Sequence, residues 1–279
     1  MPAVAFTVVM VVYPIARTFW MSLHNFNLSR PQRMYEFVGL GHYQQLAQDE
    51  HFWHSVAVTL TYSLPVTSIS YAVGLSLALL LNKRSVGTRI GRTLLSLPWA
   101  LPGVVAAFIF LWMFDASFGV VNYVLLWFGF IRAPVAWLSH SETAMVLISL
   151  VGIWKIVPFT MLTQLAGLQS IPPELYQAAK VDGANRWQEF RNITWPALGH
   201  VRVVTIVLTG LVTFREFGQI YVISGGGPDR ATETLSVNLY VEAFQGFHFG
   251  YASALGMLML LISLIFTVLV VRFMRSDFH

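Results

Sequence analysis

The sequence contains no cysteine among its 279 residues, which excludes disulfides, thiolate-bound zinc and thiol catalysis. Charge is also scarce: Asp, Glu, Lys and Arg make up 11% of the chain, against about 25% in a typical soluble domain. Apolar residues account for 56%, and the mean hydropathy is +0.64. A chain with this composition is predicted to be solvated by lipid.

Motifs for the common enzyme chemistries are missing from the sequence. It has no Gly-Lys-Ser/Thr phosphate loop, no His-Glu-x-x-His metal motif and no Gly-x-Ser-x-Gly nucleophile elbow. The run Gly225-Gly226-Gly227-Pro228 is interpreted as a flexible turn instead. The sequence therefore predicts a non-catalytic protein that holds no metal or cofactor and cannot bind ATP by itself.

Apolar stretches long enough to cross a membrane occur along the whole chain. A helix needs about 20 residues to cross the hydrocarbon core, and six stretches qualify: 1–23, 56–82, 91–115, 143–168, 201–223 and 252–274. The first lacks the features of a cleaved signal peptide and is interpreted as a span. We expect an all-α membrane protein with a single transmembrane domain over residues 1–279.

Lysine and arginine are distributed unevenly between the predicted loops. One side carries ten of them: Lys83, Arg84, Arg89, Arg92, Lys180, Arg186, Arg191, Arg202, Arg272 and Arg275. The other side carries four: Arg30, Arg33, Arg132 and Arg230. The more basic side is predicted to be cytoplasmic, with both termini on it. The net charge of +4 is interpreted in the same way, not as a sign of nucleic-acid binding.

The polar segment 174–196, between the fourth and fifth spans, is predicted to form two short helices joined by a turn. Pro172 and Pro173 end the preceding span, because proline stops a helix and the residue before it leaves the α region. The chain can then restart as a helix, with Glu174 near its positive N-terminal end. Gly183 permits a turn that a side chain would hinder.

Beyond the turn, Trp187, Phe190 and Ile193 recur every three residues and give the second short helix one apolar face. By shape alone, the segment fits two interpretations equally well. It could be an amphipathic loop on the membrane surface. Alternatively, it could dock into a groove on a partner, where the small Ala178 and Ala179 would permit close approach of the backbones.

The spacing of ELYQAAKVDGANRWQEFRNITWP (174–196) resembles the EAA loop of ABC importer permeases. Ala178-Ala179 is followed after three residues by Gly183, and after nine more by Ile193-Thr194-Trp195-Pro196. Other stretches are similar to carbohydrate-type permeases: FVGLGHYQQL (37–46), LPWALPGVVAAFIFLWMFD (97–115), FGVVNYVL (118–125), WKIVPFTMLTQLAGLQSIPP (154–173), IYVISGGGPDRATETL (220–235) and FGYASAL (249–255). By these residues the chain is identified as a member of the maltose-transporter-like family of sugar importer permeases.

The resemblance implies a type I ABC importer permease fold, with six transmembrane helices and a cytoplasmic coupling-helix loop. It implies that the loop docks on an ATPase subunit through Glu174, Gln177, Ala178, Ala179, Asp182 and Gly183. Two positions depart from the family pattern: Gln177 stands where the motif has Glu, and Trp195 stands where it has Leu. Gln177 can form a hydrogen bond with the ATPase but not an ion pair.

The resemblance also implies function, partners and location. The chain would be the inner-membrane permease of an ATP-driven importer that moves a di- or oligosaccharide by alternating access. Its partners would be a second homologous permease, a dimer of ATPase subunits that binds ATP and Mg, and an extracytoplasmic sugar-binding protein. The alternatives are a polyol or glycerol-phosphate importer and, less favoured, a secondary transporter. For a proton relay the spans offer few carboxylates: Asp115, Glu142 and Glu216.

Ionisable residues inside predicted spans mark a candidate substrate pathway. Charges within spans are costly and usually face a cavity or a partner helix. Helical spacing places Thr209, Thr213 and Glu216 on one face of the fifth span, bordered by Val212, and Gly152, Lys155, Ile156 and Phe159 on one face of the fourth. The resemblance implies that both faces border the central sugar pocket. An ion pair between Lys155 and Glu216 that only joins two helices is the alternative.

Overall fold

Helices account for most of the residues that the computed structural model describes, which are 6, 8–28, 35–83 and 85–275. A π-helical turn (Val8–Val12) is followed by α1 (Tyr13–Ser22), α2 (Gly41–Gln48), α3 (Glu50–Leu81), α4 (Val86–Ala100), α5 (Gly103–Met113), α6 (Val120–Trp127) and α7 (Ser141–Gln169). Then come α8 (Pro173–Val181), α9 (Arg186–Glu189), a π-helical turn (Phe190–Thr194), α10 (Trp195–Ala197), α11 (Gly199–Phe214), α12 (Gly218–Ser224), α13 (Leu235–Tyr240), another π-helical turn (Val241–Gln245) and α14 (Phe249–Arg275). Strands β1 (His24–Asn25) and β2 (Glu36–Phe37) pair antiparallel, with His24 opposite Phe37.

Four helical segments are long and apolar enough to cross a membrane: Glu50–Leu81, Ser141–Gln169, Gly199–Ser224 and Phe249–Phe273. A fifth crossing is formed if α4 and α5, which meet at an angle of 98°, count as one broken span. Near the start of the chain, the apolar helix Val8–Ser22 is shorter. Residues 1–5 and 7 of the first predicted span, and Arg30, Arg33 and Arg84 of the charge pattern, lie outside the described residues.

The predicted third span, 91–115, is not one continuous helix. Leu101 and Pro102 interrupt it with extended backbone, at ψ values of 138° and 140°. The physical reason is proline: Pro102 has no N–H for the helix, and its ring drives the preceding residue out of the α region. Irregular backbone at membrane depth is tolerated where it is buried in protein or lines a cavity.

Close contact between α3 and α7 forms the centre of the bundle. A Cβ atom placed on Gly74 would lie 1.9 Å from Thr160 Oγ1, so only glycine permits this approach. The Thr160 hydroxyl donates to the carbonyl of Ser70 at 2.8 Å, and Gln164 Nε2 donates to Thr205 Oγ1 of α11 at 2.9 Å. Small residues that bring backbones together, with polar side chains bonding across helices, are the usual means of association in membranes.

The glycine run between α12 and α13 forms a hydrogen-bonded turn, as the sequence predicts for its position after the fifth span. Gly225 ends α12 in the left-handed conformation, and the Ser224 and Thr232 hydroxyls lie 2.6 Å apart. The amide of Leu235 donates to Thr59 Oγ1 at 2.8 Å. Thr232 is fully buried. Through Leu235, the segment that follows the run is hydrogen-bonded to the half of α3 that lies opposite Leu81.

Candidate functional site

The segment between α7 and α11 forms the predicted pair of short helices. Helix α8 begins at Pro173 and ends at Val181, and the turn follows through Gly183, whose φ of +78° favours glycine. Asn185 starts α9: its side-chain oxygen accepts from the amides of Trp187 and Gln188, each at 3.0 Å. We call residues 173–197 the interhelical loop.

Tyr176 and Thr194 join the two arms of the interhelical loop, a contact that sequence reasoning missed. Their hydroxyl oxygens lie 2.9 Å apart across the turn. Tyr176, Phe190 and Ile193 pack against a buried cluster that includes residues of α3, residues of α7 such as Leu168, and Leu198, which directly precedes α11. The loop is therefore attached to the membrane helices through apolar packing and one hydroxyl pair. No sequence pattern marks the tyrosine beyond its place next to the predicted docking residues.

The outward surface of the interhelical loop carries the predicted docking residues. Ala179 is half-buried, whereas the remaining five are exposed: Glu174, Gln177, Ala178, Asp182 and Gly183. Val181 is 88% exposed and Trp187 is 67% exposed. Trp187, which the sequence pattern groups with Phe190 and Ile193 on one apolar face, stays exposed, and its ring stacks on that of Phe190 with 5.7 Å between ring centroids. Two large apolar side chains thus stand uncovered on a polar loop.

Arg202 also differs from its predicted place. It was assigned to the basic loop, but it lies within α11 and is 6% exposed. Its guanidinium lies 4.1 Å from the centre of the Trp195 ring. The tryptophan that departs from the family pattern therefore covers a buried cation, in an arrangement that stabilises positive charge in a low-dielectric setting.

Three of the predicted pathway residues are used for packing inside the chain. A Cβ atom on Gly152 would lie 2.6 Å from the Tyr62 hydroxyl, so this glycine lets α3 approach α7. Thr213 Oγ1 lies 2.9 Å from Thr67 Oγ1, and Thr209 Oγ1 donates to the carbonyl of Thr205 at 2.7 Å. Both threonines are buried. Gly152 and Thr213 thus serve contacts between helices and Thr209 bonds within α11, so none of the three lines an open path in this conformation.

Other members of the two predicted faces remain accessible. Val212 is 47% exposed, on a different side of α11 from the buried threonines. Ile156 and Phe159 are half-buried on α7, and the Phe159 ring lies 6.0 Å from that of Trp99. Glu216 is half-buried just past the end of α11. Its Oε1 accepts from the amide of Gln219 at 3.0 Å and so caps α12.

Lys155 meets the break between α4 and α5. Its ammonium donates to the carbonyl of Leu101, which the interrupted helix leaves free. No ion pair between Lys155 and Glu216 occurs in the described part of the chain. The alternative that these two residues only join two helices through an ion pair is therefore wrong. The Lys155 ammonium thus takes the place of the backbone N–H group that would bond to the Leu101 carbonyl in a continuous helix.

Gln219 is a further polar residue at this break that sequence reasoning missed. It is 1% exposed, and its Nε2 has no hydrogen-bond partner among the described residues. A Cβ atom on Gly103 would lie 3.5 Å from Gln219 Cγ and 3.7 Å from Lys155 Cε. The break therefore brings together the Lys155 ammonium and the Gln219 side-chain amide. The Glu216 carboxylate joins them through its hydrogen bond to the backbone amide of Gln219. We call Lys155, Glu216 and Gln219 the polar cluster.

Comparisons with known proteins agree with this architecture. The family described as "Binding-protein-dependent transport system inner membrane component" matches residues 70–276. The chain is 35% identical to the trehalose/maltose transport system permease protein MalF of Thermococcus litoralis, with 98% of this chain and 90% of that protein covered. It is 34% identical to the sn-glycerol-3-phosphate transport system permease protein UgpA of Yersinia pestis, with 99% and 92% covered. Its structure matches a chain of a bacterial ABC transporter involved in alginate import with a TM-score of 0.85 at 25% identity, covering 99% of this chain and 93% of that one.

Proposed function

Because the chain belongs to the family of inner-membrane components of binding-protein-dependent transport systems, we propose that it is the permease of an ATP-driven importer for a di- or oligosaccharide. Relatives named for transport of trehalose or maltose and of diacetylchitobiose support a sugar substrate. Such a permease is the non-catalytic part of the transporter, and a separate ATPase partner binds and hydrolyses ATP. A relative named for glycerol phosphate makes that solute the second candidate.

The interhelical loop is proposed as the docking element for the ATPase subunits. The observation that carries this proposal is the exposed helix–turn–helix, with Val181 and Trp187 uncovered and Gly183 in a left-handed turn. An open surface of this kind on a loop fits a protein partner. Movement of the ATPase would pass through Tyr176 and Thr194 into α11, because their hydroxyls connect the two arms.

The polar cluster is proposed as the part of this chain that meets the sugar. Sugar hydroxyls donate to carboxylates and accept from amines, and the half-buried Glu216 and Lys155 supply one group of each kind. Ile156 and Phe159, half-buried on α7, would supply an apolar wall for a sugar ring. Discontinuous helices commonly build solute sites near the membrane centre, which supports a site at this break.

Charge supports the proposed orientation, with the interhelical loop and both termini in the cytoplasm. One groove is lined by both Lys83 and Arg186, so basic residues from two separate loops meet at the loop's end of the bundle. The segment near Asp229 and Arg230 lies at the other end and would receive the solute-loaded binding protein. A second, homologous permease would complete the translocation path.

Reconstitution tests this function directly. The chain, its ATPase, the partner permease and the binding protein would be placed in proteoliposomes, after calorimetry of the binding protein against a panel of sugars and glycerol phosphate. We expect uptake of the preferred sugar that needs ATP and the binding protein, and no ATP turnover by the isolated chain. Uptake driven by a proton gradient without ATP would contradict the proposal. A binding protein that prefers glycerol phosphate would establish the second candidate.

A further inference from the structure

A basic groove lies beside the interhelical loop, and its basic side chains have no role in the proposed transport cycle. It has a volume of about 850 Å³ and lies between the end of α3, the start of α4 and the start of α8. Its polar lining includes Lys83, Ser85, Thr88, Arg89, Arg92 and Tyr176, and none of the acidic residues that the structure describes lines it. We call this cavity the basic groove.

Positive charge in the basic groove is not neutralised within the described chain. No carboxylate of a described residue lies within 4.0 Å of Lys83, Arg89 or Arg92. Arg92 is fixed in place: its Nη2 donates to the carbonyl of Leu81 at 2.6 Å, and its Nε donates there at 3.2 Å. Lys83 and Arg89 are exposed and make no such contact. The groove therefore presents two free cations next to one that is held rigidly.

The surface next to these cations is strongly apolar. Val86, Ile90 and Leu94 follow one another at intervals of four residues on α4 and are 73%, 55% and 59% exposed. Leu80, at the end of α3, is 69% exposed. Helix α4 thus carries an uncovered apolar stripe beside a cationic one, at the level where a membrane helix ends.

From this juxtaposition we infer that the basic groove binds the headgroup of an anionic phospholipid. Its phosphate would lie between Arg89 and Lys83, and its acyl chains would follow the stripe Val86–Ile90–Leu94. Arginine forms paired hydrogen bonds to phosphate oxygens, and basic pockets at helix ends favour anionic headgroups. A soluble anion would not use the apolar stripe, and an acidic protein segment would leave it uncovered. The inference holds whichever leaflet contains the groove and is independent of the transported solute.

Lipid retention tests the inference on the assembled transporter. The complex would be placed in nanodiscs of phosphatidylcholine and phosphatidylglycerol in equal amounts, transferred to detergent, and examined by native mass spectrometry for lipids that stay bound. We expect the wild type to retain phosphatidylglycerol in preference to phosphatidylcholine. The double variant Lys83→Gln/Arg89→Gln should reduce that preference about tenfold, because each cation near a membrane surface contributes to binding anionic lipid.

Arg272→Gln is the matched control, because Arg272 is exposed near the end of α14, at the same end of the bundle, and does not line the groove. It should keep the wild-type preference. Equal retention of both lipids by the wild type would overturn the inference, and this measurement stands even if the double variant fails to assemble. Unchanged preference in an assembled double variant would also overturn it. A photocrosslinker at Arg89 that captures an ATPase subunit instead of lipid would assign the groove to a protein contact.

Discussion

The hydroxyl oxygens of Tyr176 and Thr194 lie 2.9 Å apart and connect the two arms of the interhelical loop across its glycine turn. Thr194 is buried, while the Tyr176 ring packs over the cluster formed by α3, α7 and α11. A force applied to α8 therefore has a short, direct route into α11. The same pair offers a way to alter transmission without altering the proposed docking surface.

Tyr176→Phe should weaken coupling while leaving assembly intact. The phenyl ring keeps the apolar packing, and only the hydroxyl bond is lost, at a cost of about 1 kcal/mol. We expect about a fivefold decrease in the ATPase activity that the loaded binding protein stimulates. Thr194→Val should have the same effect, and the double variant should be no worse than either single one. Additive losses would show that the two residues act independently.

At Gly183, two substitutions separate backbone strain from contact with the ATPase. Both Gly183→Ala and Gly183→Leu place a side chain at φ +78°, which costs about 1–2 kcal/mol. Within this chain nothing lies within 4 Å of the added Cβ, so the larger side chain meets no further obstacle here. If a partner approaches the turn closely, Gly183→Leu should reduce ATPase co-purification and uptake severalfold more than Gly183→Ala does. Equal effects of the two variants would contradict docking at the turn.

Glu216→Gln tests the polar cluster. The amide oxygen of glutamine can still accept from the amide of residue 219, so the cap on α12 is kept while the charge is lost. A charge-assisted hydrogen bond to a sugar contributes about 1.5–3 kcal/mol, so apparent affinity in uptake should fall about tenfold or more. Expression level and assembly should stay normal, and adding Lys155→Met should not restore affinity. Normal uptake affinity in the single variant would remove Glu216 from the substrate path.

Crosslinking tests the proposed outer surface. Photoreactive residues at Asp229, which is exposed, and at Ala231, which is half-buried, should capture the binding protein in the ATP-bound transporter. Asp229 should give the stronger product, because its side chain is more accessible. The same residue at Val181 should capture the ATPase subunit instead. Capture of the ATPase from position 229 would show that the proposed orientation is inverted.

His42 should make stability depend on pH at the proposed outer end. Burial lowers its pKa from the ordinary value of 6.5, and its Nε2 lies 3.2 Å from the carbonyl oxygen of His24. A histidine with a lowered pKa in the folded state contributes stability that is present above pH 6.5 and is lost as pH falls through the folded pKa. Thermal unfolding between about pH 8 and about pH 5 should show this loss in the wild type and less of it in His42→Gln. Identical pH profiles would assign the loss to other groups.

Sequence patterns alone were enough for the class of protein and for the interhelical loop. Scarce charge and long apolar stretches dictate lipid as the solvent, since such a chain cannot cover its surface with polar groups. The helix–glycine–helix form of residues 173–197 follows from local rules of proline, capping and glycine, which act within a few residues. These rules need no tertiary contact, which is why α8 and the turn at Gly183 could be predicted.

Side-chain roles in the spans were decided only by the tertiary structure. Helical spacing grouped Thr209 and Thr213 with Glu216 on one face of the fifth span. Periodicity does not say which neighbouring helix that face contacts. In the structure, Thr67 of α3, which is distant in sequence, contacts Thr213 on this face. The contact between Lys155 and Leu101 depends on a break in another helix. Sequence determines that a charge within a span must find a partner, because an unpaired charge in lipid is costly. Which partner it finds is decided by packing between elements distant along the chain, and local sequence does not contain that information.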